Sequence, residues 1–222
     1  VFETTSMYDG MIADYLKKQS NKDGLNDQIS IGLKKVISCR YGENPHQDGA
    51  LYALKQSYEP GLASAKQLNG KELSYNNIMD LSAAFTMVRD FEEPTVVIIK
   101  HGNPCGLASA DTIEEALLNA WATDPMSAFG SVIGINRLVT ADLADKLGSK
   151  EFLEEKVLPK FRAESGLDVT VLAAFVEAII APGYEINALD ILSRKKNLRI
   201  MEQQNFYPKN IEKSLQFRSV PG

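Results

Sequence analysis

The sequence predicts an α/β domain in which helices flank a mixed sheet. Two observations carry this. Runs of β-branched and aliphatic residues at 95–99, 131–135 and 173–180 are each bounded by glycine or proline on at least one side, as buried strands are. Around them lie longer stretches whose apolar residues recur every three or four positions, the helical period. Strand and helix patterns alternate, which implies helices packed on a mostly parallel or mixed sheet.

Each element follows from local chemistry. Tyr8, Met11, Ile12, Tyr15 and Leu16 stand at helical spacing and predict a helix over 6–19. The polar residues 20–26 break that pattern and read as a linker. A loop at 42–47 leads into a strand-like stretch at 50–54. Asn76 and Asn77 are candidate N-caps for a helix that aligns Ile78, Leu81, Phe85 and Val88. After the strand at 95–99, Asp111 with Glu114 three residues on reads as a capping pair. The helix it opens carries Ile113, Ala116, Leu117, Ala120 and Trp121 on one face. A loop at 123–130 leads into the strand at 131–135. Short helices follow at 140–147 and 149–158, separated by Gly148. The strand at 173–180 stops at Ala181, Pro182 and Gly183, and a helix at 187–196 precedes a last strand at 198–201. The polar tail from 203 reads as a connector.

Composition limits the function classes. The 222 residues are 44% hydrophobic and 24% charged, with a net charge of −5, the balance of an ordinary globular chain. No basic run stands out, which argues against nucleic acid as a partner. A small anion stays open, because one or two local cations suffice for it. No apolar stretch approaches the ~20 residues that span a bilayer, and no signal peptide is visible, so no membrane partner is expected. Cys39 and Cys105 fit no disulfide or metal framework. A cytoplasmic home is expected, or an organelle in a eukaryote. The chain starts at Val1 without Met and ends at Pro221-Gly222, and reads as a piece of a longer polypeptide.

Three motifs hold polar chemistry. Lys100 and His101 end the strand-like run 95–99. An imidazole accepts and returns protons near neutral pH, and a neighbouring ammonium favours its neutral, basic form. The same pair is also what a strand end meeting solvent would look like. Neighbouring strand residues point to opposite faces, so both can face one ligand only where the chain leaves strand geometry, and Gly102-Asn103-Pro104 permits that. Arg40-Tyr41-Gly-Glu-Asn-Pro-His-Gln47 could grip a phosphate through Arg40 and Tyr41. Its Gly, Asn and Pro are equally the residues of a plain turn, with His46 a structural group. The loop Asp124-Pro-Met-Ser127-Ala-Phe129-Gly130 lets backbone approach a ligand, or simply joins helix to strand. A zinc deaminase reading fails on ligand count: His101 lacks the following H-x-E carboxylate, and Pro104-Cys105 lacks the second cysteine.

Taken in order, RYGENPHQ, GKELSYNN, IIKHGNPCG, TDPMSAFG and FVEAIIAPG resemble the bifunctional purine enzymes that join AICAR transformylase to IMP cyclohydrolase. The resemblance covers nearly the whole chain and falls in the transformylase portion. It implies two subdomains similar to cytidine deaminase in topology, without zinc, of which this chain looks like the first. Residues 1–36 would be the helical segment leaving the cyclohydrolase domain, 37–205 the first transformylase subdomain, and 206–222 the connector to the second. The implied reaction moves a formyl group from the co-substrate 10-formyltetrahydrofolate to the 5-amine of AICAR. By resemblance His101 is the proton shuttle and Lys100 its support. Arg40 and Tyr41 would hold the nucleotide, Gly130 would contact it through its backbone, Ser127 and Phe129 would shape that loop, and Glu177 would touch AICAR. The resemblance also implies a homodimer with sites formed between subunits. A non-catalytic nucleotide-binding or assembly fragment of such an enzyme is the alternative.

Overall fold

Four consecutive residues, Val96, Val97, Ile98 and Ile99, are wholly buried. A strand that hides both faces needs a layer on each side, and this one has them. The computed structural model describes residues 1–19, 28–54, 60–171 and 173–206. Its centre is a six-stranded sheet built from β3 (Lys66–Asn69), β4 (Thr95–Lys100), β5 (Asn103–Ser109), β6 (Ser131–Ile135), β7 (Val176–Ala181) and β8 (Arg199–Glu202), in the order β3-β8-β7-β6-β4-β5. Strands β6, β7 and β8 run parallel; β4 runs antiparallel to both β6 and β5, and β3 antiparallel to β8. The sheet is therefore mixed, as expected.

One face is covered by α2 (Tyr75–Val88), whose Ile78, Leu81, Phe85 and Val88 pack on Val97, Ile99, Val132 and Ile180. A separate antiparallel pair, β1 (Leu33–Ser38) and β2 (Ala50–Leu54), adds Ile37 and Leu51 to this layer. The other face carries α3 (Ile113–Thr123), α4 (Ala141–Lys146), α5 (Lys150–Phe152), α6 (Leu158–Ser165) and α7 (Ile186–Ser193). Trp121, Leu143, Leu153, Val157 and Leu192 join Ile98, Ile133 and Ile179 in the larger core there. The remaining helix, α1 (Phe2–Gln19), leaves Tyr8, Tyr15 and Leu16 exposed.

Several boundaries differ from the sequence reading, each for a local reason. Ser74, not Asn76 or Asn77, caps α2: its Oγ accepts from Asn77 N (3.2 Å), and Asn77 Oδ1 accepts from Ser74 N (3.1 Å). Thr112, not Asp111, caps α3 by accepting from Glu115 N. The helix expected at 149–158 contains a π-helical turn, Leu153–Val157, and runs on as α6 to Ser165. Strand β7 starts at Val176 rather than 173, and α7 stops at Ser193 rather than 196. Three strands were not expected: β1, β3 and β5. The residues 102–104 that read as a loop are the end of a tight turn and the start of β5. Pro104 is tolerated because β5 is an edge strand with a bulge at Cys105. The linker expected at 20–26 and the connector beyond Phe206 lie outside the described residues.

Candidate active site

Antiparallel pairing of Ile99 with Val132 sets the carboxyl end of β4 beside the amino end of β6. Strands β7 and β8 start at the same edge, because they run parallel to β6. The sequence pointed to a carboxyl-end crevice of the kind found in open parallel sheets. The edge that holds Lys100 is instead carboxyl for β4 and amino for the three parallel strands.

The β4–β5 connection positions His101. Lys100 pairs with Asn103, so His101 and Gly102 form a two-residue hairpin turn. Their φ angles are +54° and +75°, both positive as a type I′ turn requires. Histidine is among the side chains that enter this left-handed region most readily, yet it sits there at a cost. The turn is what takes His101 out of strand geometry. Gly102 N donates to Asp80 Oδ1 at 2.7 Å, and Asn103 Nδ2 donates to His101 O at 3.1 Å.

Lys100 reaches the neighbouring loop. Its ammonium donates to Phe129 O (2.8 Å) and Gly130 O (2.9 Å), using two of its three N–H groups. Gly130 has φ +68°, and a Cβ there would stand 3.0 Å from Lys100 Nζ and 3.5 Å from the Phe175 ring. Its amide donates to Phe175 O at 2.7 Å, which joins the loop to the residue entering β7. The rings of Phe129 and Phe175 stand 5.6 Å apart, and they are 49% and 44% exposed. They offer an apolar surface beside the Lys100 ammonium. Ser127 turns inward instead: its Oγ and N both bond Asp124, at 2.5 and 3.0 Å. It fixes the loop's shape.

Glu177 is placed by a bulge. Ser131 pairs with Val176 and Val132 with Ala178, so Glu177 is the extra residue between them. A bulge re-aims a side chain, and this one sends Glu177 to α2 and β8. Its Oε1 accepts from Asn77 Nδ2 at 2.9 Å and from Arg199 Nη1 at 3.2 Å. The Arg199 side chain in that pair is only 8% exposed. Burial pulls its guanidinium below the usual arginine value; Glu177 opposes the fall and Arg40 adds to it. Arg199 feels the charges of Arg40 and Tyr41, so the start of the RYGENPHQ segment lies near the Glu177 side of the edge. That segment is a turn, closed by Gly42 N on Gln47 O (2.6 Å) and by Asn44 N on Gln47 Oε1 (2.9 Å). Arg40 lies over the Tyr41 ring at 5.3 Å. Among the described residues, no group of three His, Cys, Asp or Glu side chains could hold a metal ion, and no helix is long and apolar enough to cross a membrane.

The family description AICARFT/IMPCHase bienzyme matches residues 1–222. The chain belongs to this family. It is 38% identical over all of its 222 residues to the bifunctional purine biosynthesis protein PurH of Acetivibrio thermocellus, covering 38% of that protein. It is 44% identical over 206 residues to PurH of Streptococcus suis, and 40% identical over 205 residues to PurH of Rhodopirellula baltica. These alignments take in 91% and 90% of this chain and 35% of each relative. The chain thus spans little more than a third of the length of the relatives it matches.

For this member of the AICARFT/IMPCHase family, two groups at this edge carry chemistry that the sequence motifs do not assign them. The sequence offers Asn77 as a cap and as the end of the GKELSYNN motif; in the structure its amide also donates to Glu177. Arg199 was not singled out. A lone arginine inside the apolar run Leu198-Arg-Ile-Met201 was the available signal, since an arginine buried in a strand needs a partner.

Proposed function

We propose that this segment belongs to the transformylase part of its bifunctional enzyme and takes part in formyl transfer from 10-formyltetrahydrofolate to AICAR, in purine biosynthesis. The observation that carries the reading is the strained His101 turn beside a lysine tied to the Phe129–Gly130 loop. On this reading the six-stranded unit corresponds to the first cytidine-deaminase-like subdomain, within residues 37–205, and the enzyme works as a homodimer.

The chemistry asks for one proton shuttle. The AICAR amine is a weak nucleophile, because its lone pair is delocalised into the imidazole carboxamide. As its nitrogen bonds to the formyl carbon, it must lose a proton. As the bond from that carbon to folate N10 breaks, N10 must gain one. His101 accepts the first proton and delivers the second. Lys100, with an N–H left over from its two carbonyl bonds, stabilises the charge that develops on the formyl oxygen. Arg40 and Tyr41 hold the nucleotide phosphate, Glu177 holds the nucleoside portion, and the Gly130 backbone approaches it closely. Phe129 and Phe175 supply an apolar wall for a flat ring.

The test uses the full-length enzyme carrying this segment, with both activities measured separately. His101→Ala lowers formyl-transfer turnover by about 10²–10⁴-fold, the usual loss of a general acid–base, and leaves cyclohydrolase turnover unchanged. Arg40→Ala mainly raises the KM for AICAR, since a phosphate contact exists in ground and transition states alike. Loss of cyclohydrolase with intact formyl transfer would assign the segment to the other activity. A His101→Ala enzyme with normal turnover would favour a purely binding or assembly role.

A further inference from the structure

We propose that Asp80 is a positioning residue for His101, acting through the backbone of the turn; this rests on the reading of His101 as the proton shuttle. The hydrogen bonds converge on one peptide unit. The carbonyl of His101 and the amide of Gly102 belong to the same planar group. Asn103 Nδ2 donates to its oxygen at 3.1 Å, and Asp80 Oδ1 accepts from its N–H at 2.7 Å. Clamped at both ends, this peptide cannot rotate without breaking one bond or both. Its orientation sets ψ of His101 and φ of Gly102, and therefore the direction in which the turn presents the imidazole.

The clamp is needed because the turn is not at rest. His101 has φ +54°, a region that costs a non-glycine residue energy unless its surroundings hold it there. Asp80 comes from a rigid source. It lies in α2 between Met79, which is exposed, and Leu81, which is wholly buried. Ser74 and Asn77 cap that helix, and it packs on β4, β6 and β7. The carboxylate therefore reaches Gly102 from a fixed base. A charge-assisted bond to a backbone N–H is stronger than a neutral one. Catalysis is sensitive to such placement, because a displacement of about 1 Å can cost about 10²-fold in rate.

The test measures formyl transfer in the full-length enzyme together with hydrogen exchange at the Gly102 amide. Asp80→Ala lowers kcat by about 10–10²-fold, leaves the KM for AICAR within about twofold, and speeds exchange at Gly102. Asp80→Asn keeps an acceptor oxygen, so it keeps Gly102 protected and restores kcat to within about threefold of the parent. In a His101→Ala background, Asp80→Ala causes no further loss, because the two residues act through one group. Three results would each overturn the proposal: wild-type kcat in Asp80→Ala with Gly102 exchanging freely, an Asp80→Asn enzyme as slow as Asp80→Ala, or full additivity with His101→Ala. If His101→Ala alone keeps normal turnover, the shuttle reading itself fails and the role of Asp80 falls with it. That outcome is distinct from the other three.

Discussion

Gly130 concentrates several constraints at one residue. Its φ is +68°, and the space a Cβ would occupy is bounded by Lys100 Nζ and the Phe175 ring. An alanine here meets a left-handed backbone cost of about 1–2 kcal/mol and crowds the ammonium, which must shift slightly against its two carbonyls. Gly130→Ala should lower stability by that amount in urea unfolding. In the full-length enzyme it should also reduce formyl transfer, even though no reactive group is altered. Unchanged stability would mean that the loop relaxes freely, and that its hydrogen bonds to Lys100 and Phe175 do not hold it.

Helix α2 links stability to the site at the level of one element. Its cap, Ser74, is buried and bonds reciprocally with Asn77, while Asn77 also donates to Glu177. Ser74→Ala should cost about 1 kcal/mol, the usual value of a lost cap. Because the Asn77 side chain also loses the bond it accepts from Ser74 Oγ (2.9 Å), AICAR binding to the full-length enzyme should weaken in the same variant. Equilibrium unfolding and calorimetric titration read the two effects separately. A stability loss with unaltered binding would restrict Ser74 to capping. The sequence revealed a helix carrying Ile78, Leu81, Phe85 and Val88, because their apolar spacing does not depend on what lies across the sheet. It did not reveal which polar residue caps the helix. Ser74, Asn76 and Asn77 are all competent caps; in the fold Ser74 takes the cap, while Asn77 donates to Glu177, 100 residues away.

Across the whole molecule, Tyr184 reports how the sheet and its helices close. Its hydroxyl donates to Met201 O at 3.0 Å, and burial, with Glu202 adding to it, pushes its pKa well above the usual tyrosine value. Below about pH 10 the ring is neutral in both folded and unfolded chains. As the pH rises past that value, the unfolded chain loses the proton first. The contribution is thus fully present below the unfolded pKa and fades as the pH climbs through the folded one. Tyr184→Phe should be less stable than the parent by about 1 kcal/mol near neutral pH, one lost hydrogen bond. The gap should narrow in urea melts made above about pH 10. A gap that widens with pH would reverse the assigned direction of the shift.

The sequence by itself determined most of the alternation of helices and strands and the α/β class. It also picked out the groups at 40–41, 100–101 and 127–130 as candidates. Those features depend on local periodicity and on which side chains carry proton or anion chemistry, and both are written residue by residue. Three further features were decided only by the tertiary structure. The edge strand β5 contains Pro104 and a bulge, and becomes a strand only because β4 supplies its partner. The aim of Glu177 comes from a one-residue mismatch between β6 and β7, which neither strand encodes alone. The convergence of Asp80, Asn103 and the His101–Gly102 peptide comes from packing α2 across the end of β4. Long-range pairing sets each of these, and its register is a property of two segments rather than one.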